Sequence, residues 1–149
     1  MTSSPASRST GVGSPRFAGV LETVLYHDGA AREAVERFYG EVLKLPQVAG
    51  WGDGVAFRVG PGVLLVFDRA RLAARSGVIA QHGASGPGHV CLRASGGTYE
   101  RWREHLEAAG VEILHDHDWG GGRSFYFRDP AGNLLEVADC DFWPQPRGA

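Results

Sequence analysis

Residues 124–139 decide the fold, and they read SFYFRDPAGNLLEVAD. Two alternating apolar runs flank residues 129–133, where Pro fixes one backbone torsion and Gly or Asn supplies a positive φ. This pattern predicts a β-hairpin. Glu136 is its unusual residue, because a carboxylate within an apolar strand is costly unless it is paired or bound to a cation. The alternative is an edge-strand glutamate that faces water.

The composition limits the classes of function. The chain has 149 residues, 21% of them charged, and its net charge of −2 provides no basic field for nucleic acid. No apolar run approaches the ~18 residues of a membrane span. The two cysteines, Cys91 and Cys140, are too few for a disulfide framework and fit a reducing compartment. We therefore expect a cytoplasmic protein that binds neither nucleic acid nor membrane.

The order of predicted elements repeats along the chain. A strand, a helix and three short strands are followed by a second strand, a second helix and strands at 111–115, 123–128 and 134–138. We predict an α+β fold of two tandem βαβββ modules. The expected divisions are a disordered tail (1–18), the first module (19–70), a linker (71–87), the second module (88–142) and a C-terminal tail (143–149).

The repeat is also visible in the residues. Residues 55–66 align without gaps on residues 125–136, with Phe, Arg, Gly and two Leu coinciding. Val66 then corresponds to Glu136, and in the opening strands Glu22 corresponds to His89. Positions related by the repeat thus carry Glu, His and Glu. Such a set suits a divalent Mn, Fe, Co, Ni or Zn ion.

Four motifs carry a family resemblance: VLETVLY at 20–26, ERFYGEVL at 36–43, GPGHV at 86–90 and FYFRDPAGNLLE at 125–136. With these motifs the chain resembles the vicinal oxygen chelate superfamily, which groups glyoxalase, bleomycin resistance and extradiol dioxygenase proteins. The resemblance covers about residues 19–140. It implies that each module curls its mixed sheet into a half-cup, and that two modules enclose a metal ion with open coordination sites.

The resemblance also implies roles for particular residues. Glu136 and His89 fall on metal-ligand positions of the second module, and Glu22 on the ligand position of the first strand, where many relatives have His. Glyoxalases use a fourth ligand at the place of Val66, so glyoxalase I activity is not expected. Tyr126 is the catalytic candidate, because extradiol dioxygenases carry a Tyr ten residues before the Glu ligand. The alternative is that Tyr126 is a plain sheet aromatic.

Other side chains have two interpretations each. His115 and His117 share one strand face and form either a metal-binding pair or part of a rim. Arg123 either meets an anionic substrate group or is a surface arginine. The roles of His27 and His82 stay open.

Two functions follow as hypotheses. The first is an enzyme in which Glu22, His89 and Glu136 hold a divalent metal that a small substrate chelates through vicinal oxygens, as in metal-dependent lyases, isomerases and dioxygenases of this superfamily. The second is a metal-free protein of the bleomycin-resistance type that sequesters a drug or antibiotic between aromatic walls, which would be Trp51, Trp119, Tyr126 and Phe142. Because an open sheet edge favours pairing with another sheet, we also expect a homodimer.

Overall fold

The computed structural model describes residues 16–77 and 79–144, with the side chain of Ala30 left out. Most of the two predicted tails, residues 1–15 and 145–149, therefore lies outside the described residues. The strands are β1 (Glu22–His27), β2 (Gln47–Gly50), β3 (Gly54–Val59), β4 (Gly62–Asp68), β5 (His89–Arg93), β6 (His115–Asp118), β7 (Arg123–Arg128) and β8 (Leu134–Ala138). The α-helices are α1 (Arg32–Arg37), α2 (Arg69–Ala73) and α3 (Tyr99–Ala108).

The strands form two four-stranded mixed sheets of the same topology. The orders are β1-β4-β3-β2 and β5-β8-β7-β6. In each sheet the first strand lies parallel to the last strand of its module, and the other pairings are antiparallel. The predicted fold class, α+β with two βαβββ modules, is confirmed. No helix among the described residues is long and apolar enough to cross a membrane.

One predicted strand is displaced. The apolar run at 111–115 suggested a strand there, but β6 is the polar segment that follows it, His115–Asp118. Val111 and Ile113 instead pack against the hydrophobic core from an extended segment without ladder partners. Their apolar character therefore reflects burial, whereas β6 is a strand because its backbone pairs with β7.

A single hydrophobic core joins the two modules. One side of each sheet packs into it, together with α1 and α3, as the alternation of side chains along a strand requires. Phe38, at the start of the π-helical turn that extends α1, lies 6.3 Å from Phe127 of β7. Buried members of this shared core include Leu25, Val35, Phe38, Tyr39, Phe57, Leu64, Val66, Leu106, Phe125, Phe127 and Leu135. We call the opposite side of each sheet its outer face.

The hairpin loop at 129–133 ties the modules together. Asp129 Oδ1 accepts hydrogen bonds from two backbone N–H groups of the loop, and Gly132 has a φ of 86°. Asp129 Oδ2 accepts one from the buried Tyr39 hydroxyl of the first module at 2.8 Å. Asn133 donates to the carbonyl of Tyr26 at 2.9 Å. Burial and the Asp129 carboxylate hold the pKa of Tyr39 far above its usual range, so the phenol remains a donor.

The strand registers correct the internal alignment by one residue. Four residues separate the register pair Arg58↔Val63, whereas five separate the pair Arg128↔Leu134. The counterpart of Glu136 in the first sheet is therefore Leu65, and Val66 instead points into the shared core. An alignment without gaps cannot show this difference, because it assumes that the two hairpin loops have the same number of residues.

Candidate functional site

The outer face of the second sheet holds a buried carboxylate. Glu136 is the central residue of β8, and only 6% of its surface is exposed. Its strand neighbours Leu135 and Val137 point into the shared core, so alternation turns Glu136 to the outer face. The prediction that this glutamate is an unusual residue of an apolar strand is confirmed, and the alternative of a solvated glutamate is wrong. A carboxylate in this position needs partners.

His89 is the first partner. It is the first residue of β5, and its Nε2 lies 3.4 Å from Glu136 Oε2. Its Nδ1 lies 3.0 Å from the carbonyl oxygen of Leu134. Because a carbonyl can only accept, Nδ1 carries a hydrogen atom, and a ring without a second hydrogen atom would present the lone pair of Nε2 to the carboxylate. Two acceptors then face each other, and a shared cation, a proton or a metal ion, satisfies both.

Tyr126 is the second partner. It pairs in register with Glu136 across β7 and β8, and its hydroxyl donates to Glu136 Oε1 at 2.9 Å. Ser124 Oγ, fully buried, donates to the Tyr126 hydroxyl oxygen at 3.5 Å and accepts from the indole N–H of Trp119 at 2.9 Å. Desolvation raises the pKa of Tyr126, and the bond to Glu136 raises it further, against an opposing effect of Ser124. The phenol is thus a proton donor at neutral pH.

These groups form one end of a cavity of about 450 Å³. This volume is within the range of small-molecule sites. The cavity lies wholly in the second module and its C-terminal extension. Its lining residues are His89, Trp119, Gly121, Tyr126, Glu136, Phe142, Trp143 and Pro144.

Cys91 is a site residue that the sequence reasoning missed. It lies two residues after His89 on the same face of β5 and pairs in register with Glu136. Partial burial of the thiol and the adjacent Glu136 carboxylate raise the pKa of Cys91 to about 12. The thiol is therefore protonated at neutral pH and is a poor nucleophile. The period of two along β5 was the available signal, since it places residues 89 and 91 on one face.

Glu22 is not brought together with the other two predicted ligands. It is exposed at the start of β1 in the other sheet, where it lines a separate shallow pocket with Thr23, Val63 and Val90. Within residues 16–77 and 79–144, no group of three or more His, Cys, Asp or Glu side chains is arranged to hold a metal ion. One chain therefore assembles only the pair His89 and Glu136.

The histidines of β6 lie at the rim of the same face. The ring of His115 lies 6.3 Å from that of Tyr126, and the ring of His117 lies 4.3 Å from that of Trp119. Arg123, by contrast, is occupied by carboxylates. It donates to Glu100 at 2.8 Å and to Asp116 at 3.2 Å, which leaves it as a surface ion-pair residue.

The predicted aromatic walls are divided between the two sheets. Trp119 and Phe142 stack on each other with ring centroids 5.4 Å apart, beside Tyr126. Trp51 instead stacks on Phe67, which lies on the outer face of the first sheet. Trp51 is therefore not part of the cavity that holds Glu136.

The comparison with family models identifies the family of the chain. Residues 30–137 match the model of the Glyoxalase/Bleomycin resistance protein/Dioxygenase superfamily. The chain belongs to this superfamily. A search of curated protein sequences gave no match.

Solved structures of the superfamily agree. The chain is 35% identical to a lactoylglutathione lyase from Agrobacterium tumefaciens, with a TM-score of 0.79 over 88% of this chain and 100% of that one. A glyoxalase/bleomycin resistance protein/dioxygenase from Nocardioides shares 21% identity, with a TM-score of 0.65 over 91% of each chain. The oxidase ChaP-H2 shares 20% identity, with a TM-score of 0.62 over 90% of this chain and 98% of that one. The last two show the fold alone.

Proposed function

We propose that this superfamily member is a divalent-metal-dependent enzyme acting on a small substrate that chelates the metal through vicinal oxygens. The observation that carries the proposal is the arrangement of His89 Nε2 and Glu136 Oε2, two potential metal-ligand atoms that lie 3.4 Å apart in the lining of a cavity. Their residues fall on the ligand positions that the family resemblance implies.

His89 Nε2 and Glu136 Oε2 fit a divalent metal ion in their separation and in their chemistry. Two ligand atoms bound to one ion at about 2.1 Å each lie about 3.0–3.4 Å apart in octahedral or tetrahedral coordination. The second ring nitrogen of His89 is fixed by the Leu134 carbonyl, which is the usual support of a metal-binding histidine. Glu136 is fixed by Tyr126 in the same way. Imidazole and carboxylate together suit Mn, Fe, Co, Ni or Zn.

Other residues of the cavity have roles in binding the substrate and in proton transfer. A bound divalent ion would supply Lewis-acid stabilisation of an enolate or alkoxide. The hydroxyl oxygen of Tyr126 lies 2.9 Å from Glu136 Oε1, and by turning its hydrogen away from the carboxylate it can donate a hydrogen bond or a proton to a neighbouring substrate oxygen. Trp119 and Phe142 add an apolar surface to the cavity lining, against which an apolar part of a substrate can pack.

The proposal assigns the third ligand to a second copy of the chain. The cavity contains no residue of the first module, and Glu22 lies exposed on the free edge strand β1. An open edge favours pairing with another sheet. In a homodimer, Glu22 of a second copy would complete the set with His89 and Glu136, and this arrangement would form two equivalent sites.

Metal analysis tests the proposal. Protein purified without an affinity tag is expected to bind about one divalent ion per chain, and Glu136→Gln or His89→Ala should abolish this binding, since either change removes one of the two ligands that the chain holds together. Glu112→Gln is the matched control, because Glu112 is exposed outside the site. Undiminished metal content in both site variants would disprove the enzyme as proposed.

The aromatic stack supports a second candidate, a metal-free binding protein. Trp119 and Phe142 could hold a planar compound without any contribution from His89 or Glu136. Ligand binding that survives Glu136→Gln and the removal of metal would favour this candidate.

A further inference from the structure

Much of the cavity lining other than His89 and Glu136 is aromatic. Trp119 is 50% exposed and Trp143 is 75% exposed, although both line the cavity. Between them lies Phe142, whose ring is 5.4 Å from that of Trp119 and 6.1 Å from that of Trp143. The three rings therefore form a continuous aromatic wall, most of whose surface is left to water in the free chain.

The position of this wall is fixed by contacts at both ends. The indole N–H of Trp119 donates to the buried Ser124, and Gly122 leaves the space that the side chains of Cys140 and Phe142 occupy. A Cβ at Gly122 would lie 2.3 Å from the Cys140 sulfur. Cys140 in turn donates to the carbonyl of Gly121. The segment after β8 is thus held against the β6–β7 loop, which places Phe142 on Trp119.

The charge of the lining is equally informative. The ionisable residues that line the described cavity are His89, Tyr126 and Glu136, and no Lys or Arg is among them. The nearby Arg123 is engaged by Glu100 and Asp116. From the described residues of this chain, a ligand part that lies against the wall therefore meets ring surface and no Lys or Arg that would pair with a carboxylate or phosphate.

We infer that the substrate is an aryl compound: an uncharged planar ring that packs against the aromatic wall of Trp119, Phe142 and Trp143, joined directly to the pair of vicinal oxygens held near His89 and Glu136. This inference rests on the proposed function for the oxygen pair. The aromatic wall indicates that the rest of the substrate is an aromatic ring, and it disfavours substrates with long anionic substituents.

Three small probes separate the ring from the oxygen pair. 2-Hydroxyacetophenone carries both, hydroxyacetone carries the vicinal oxygens alone, and acetophenone carries the ring with a single oxygen. Binding to the full chain, as purified and supplemented with Co²⁺, is measured by calorimetry, and saturation-transfer NMR reports which ligand protons touch the protein. We expect 2-hydroxyacetophenone to bind at least about tenfold more tightly than hydroxyacetone, with its ring protons the most strongly saturated.

Variants assign the effect to the wall. Phe142→Leu keeps an apolar side chain but removes the stacking surface, and it should weaken 2-hydroxyacetophenone about threefold to tenfold while leaving hydroxyacetone unchanged. Trp143→Leu should act in the same direction. Trp51→Leu is the matched control, because Trp51 is an exposed aromatic residue of the other sheet and should affect no probe.

Each outcome decides a separate question. Equal affinities for 2-hydroxyacetophenone and hydroxyacetone would overturn the aryl class and leave the proposed metal chemistry standing. Binding of acetophenone as tight as that of 2-hydroxyacetophenone, with or without metal, would support the aromatic wall and overturn the proposed function. Failure of all three probes to bind would overturn both.

Discussion

The outer faces of the two sheets have the same strand order and opposite chemistry. In the first sheet, Leu65 pairs in register with Val24 and Ala56. In the second, Glu136 occupies the place of Leu65 and pairs with Cys91 and Tyr126. One register position thus carries a buried leucine among apolar neighbours in one sheet and a buried carboxylate among polar neighbours in the other. The βαβββ scaffold therefore does not itself require the carboxylate, which is consistent with the ligand role that we propose for Glu136.

The two faces also differ in what covers them. Helix α2 follows β4 directly and packs Leu72 against the first face, in a cluster with Leu65 and Phe67. His82, whose role the sequence left open, lies on the same face, with Nδ1 2.6 Å from the Tyr26 hydroxyl and its ring 5.4 Å from that of Phe67. The second face has no such cover in the described residues and retains the cavity. The segment after β4 covers the outer face of the first sheet, whereas the outer face of the second sheet keeps an open cavity.

The largest expected effect concerns glyoxalase chemistry. The resemblance placed the fourth protein ligand of glyoxalases at Val66, and the strand register moves that place to Leu65; neither side chain can bind a metal ion. We therefore expect no useful turnover of the methylglyoxal–glutathione adduct, although a relative of 35% identity is named a lactoylglutathione lyase. Among the described residues of this chain, no Lys or Arg lines the cavity, which points in the same direction. Robust turnover by nickel- or zinc-loaded protein, with a lactoylglutathione lyase as positive control, would show that the difference between the faces does not matter for this reaction.

A pair of variants should separate stability from metal binding. Phe67→Ala removes a buried ring from the first face and should lower the free energy of unfolding by about 3–5 kcal/mol, with little change in metal affinity. Tyr126→Phe should cost only about 0.5–1.5 kcal/mol of stability but lower the metal affinity about tenfold or more, since it removes the hydrogen bond to Glu136. Thermal unfolding and metal titration of both variants check this. A large loss of metal affinity in Phe67→Ala, or unchanged affinity in Tyr126→Phe, would contradict the difference between the two faces.

The smallest effect tests whether the two faces meet between subunits. Chains with Glu22→Ala or Glu136→Ala should each bind no metal as homodimers. In a mixed dimer one of the two sites keeps all three ligands, so mixing should restore a fraction of the binding. Light scattering and mass spectrometry must first show dimers that exchange subunits. If exchange occurs and no binding returns, each site belongs to a single chain.

Local pattern was sufficient for much of the architecture. Alternation and turn residues located the hairpin of β7 and β8, and the repeated element order gave the two modules. Prediction failed at 111–115, because apolar residues in an extended segment have the same pattern whether they join a ladder or only pack on a core. The sequence alignment also paired Glu136 with Val66 and not with Leu65. The hairpin loops of the two sheets differ in length by one residue, and matching residues without gaps does not show this difference.

The sequence by itself determined that Glu136 is out of place in an apolar strand and that His89 stands at the related start of β5, because strand periodicity and the repeat are local properties. The tertiary structure decided which of the candidate groups meet. It brought His89 to Glu136, added Tyr126 and Cys91, and left Glu22 in the other sheet. It also covered one outer face with α2 and left the other open. These outcomes depend on how the two sheets pack across a shared core, and contacts between residues so far apart in the chain leave no periodic trace in the sequence.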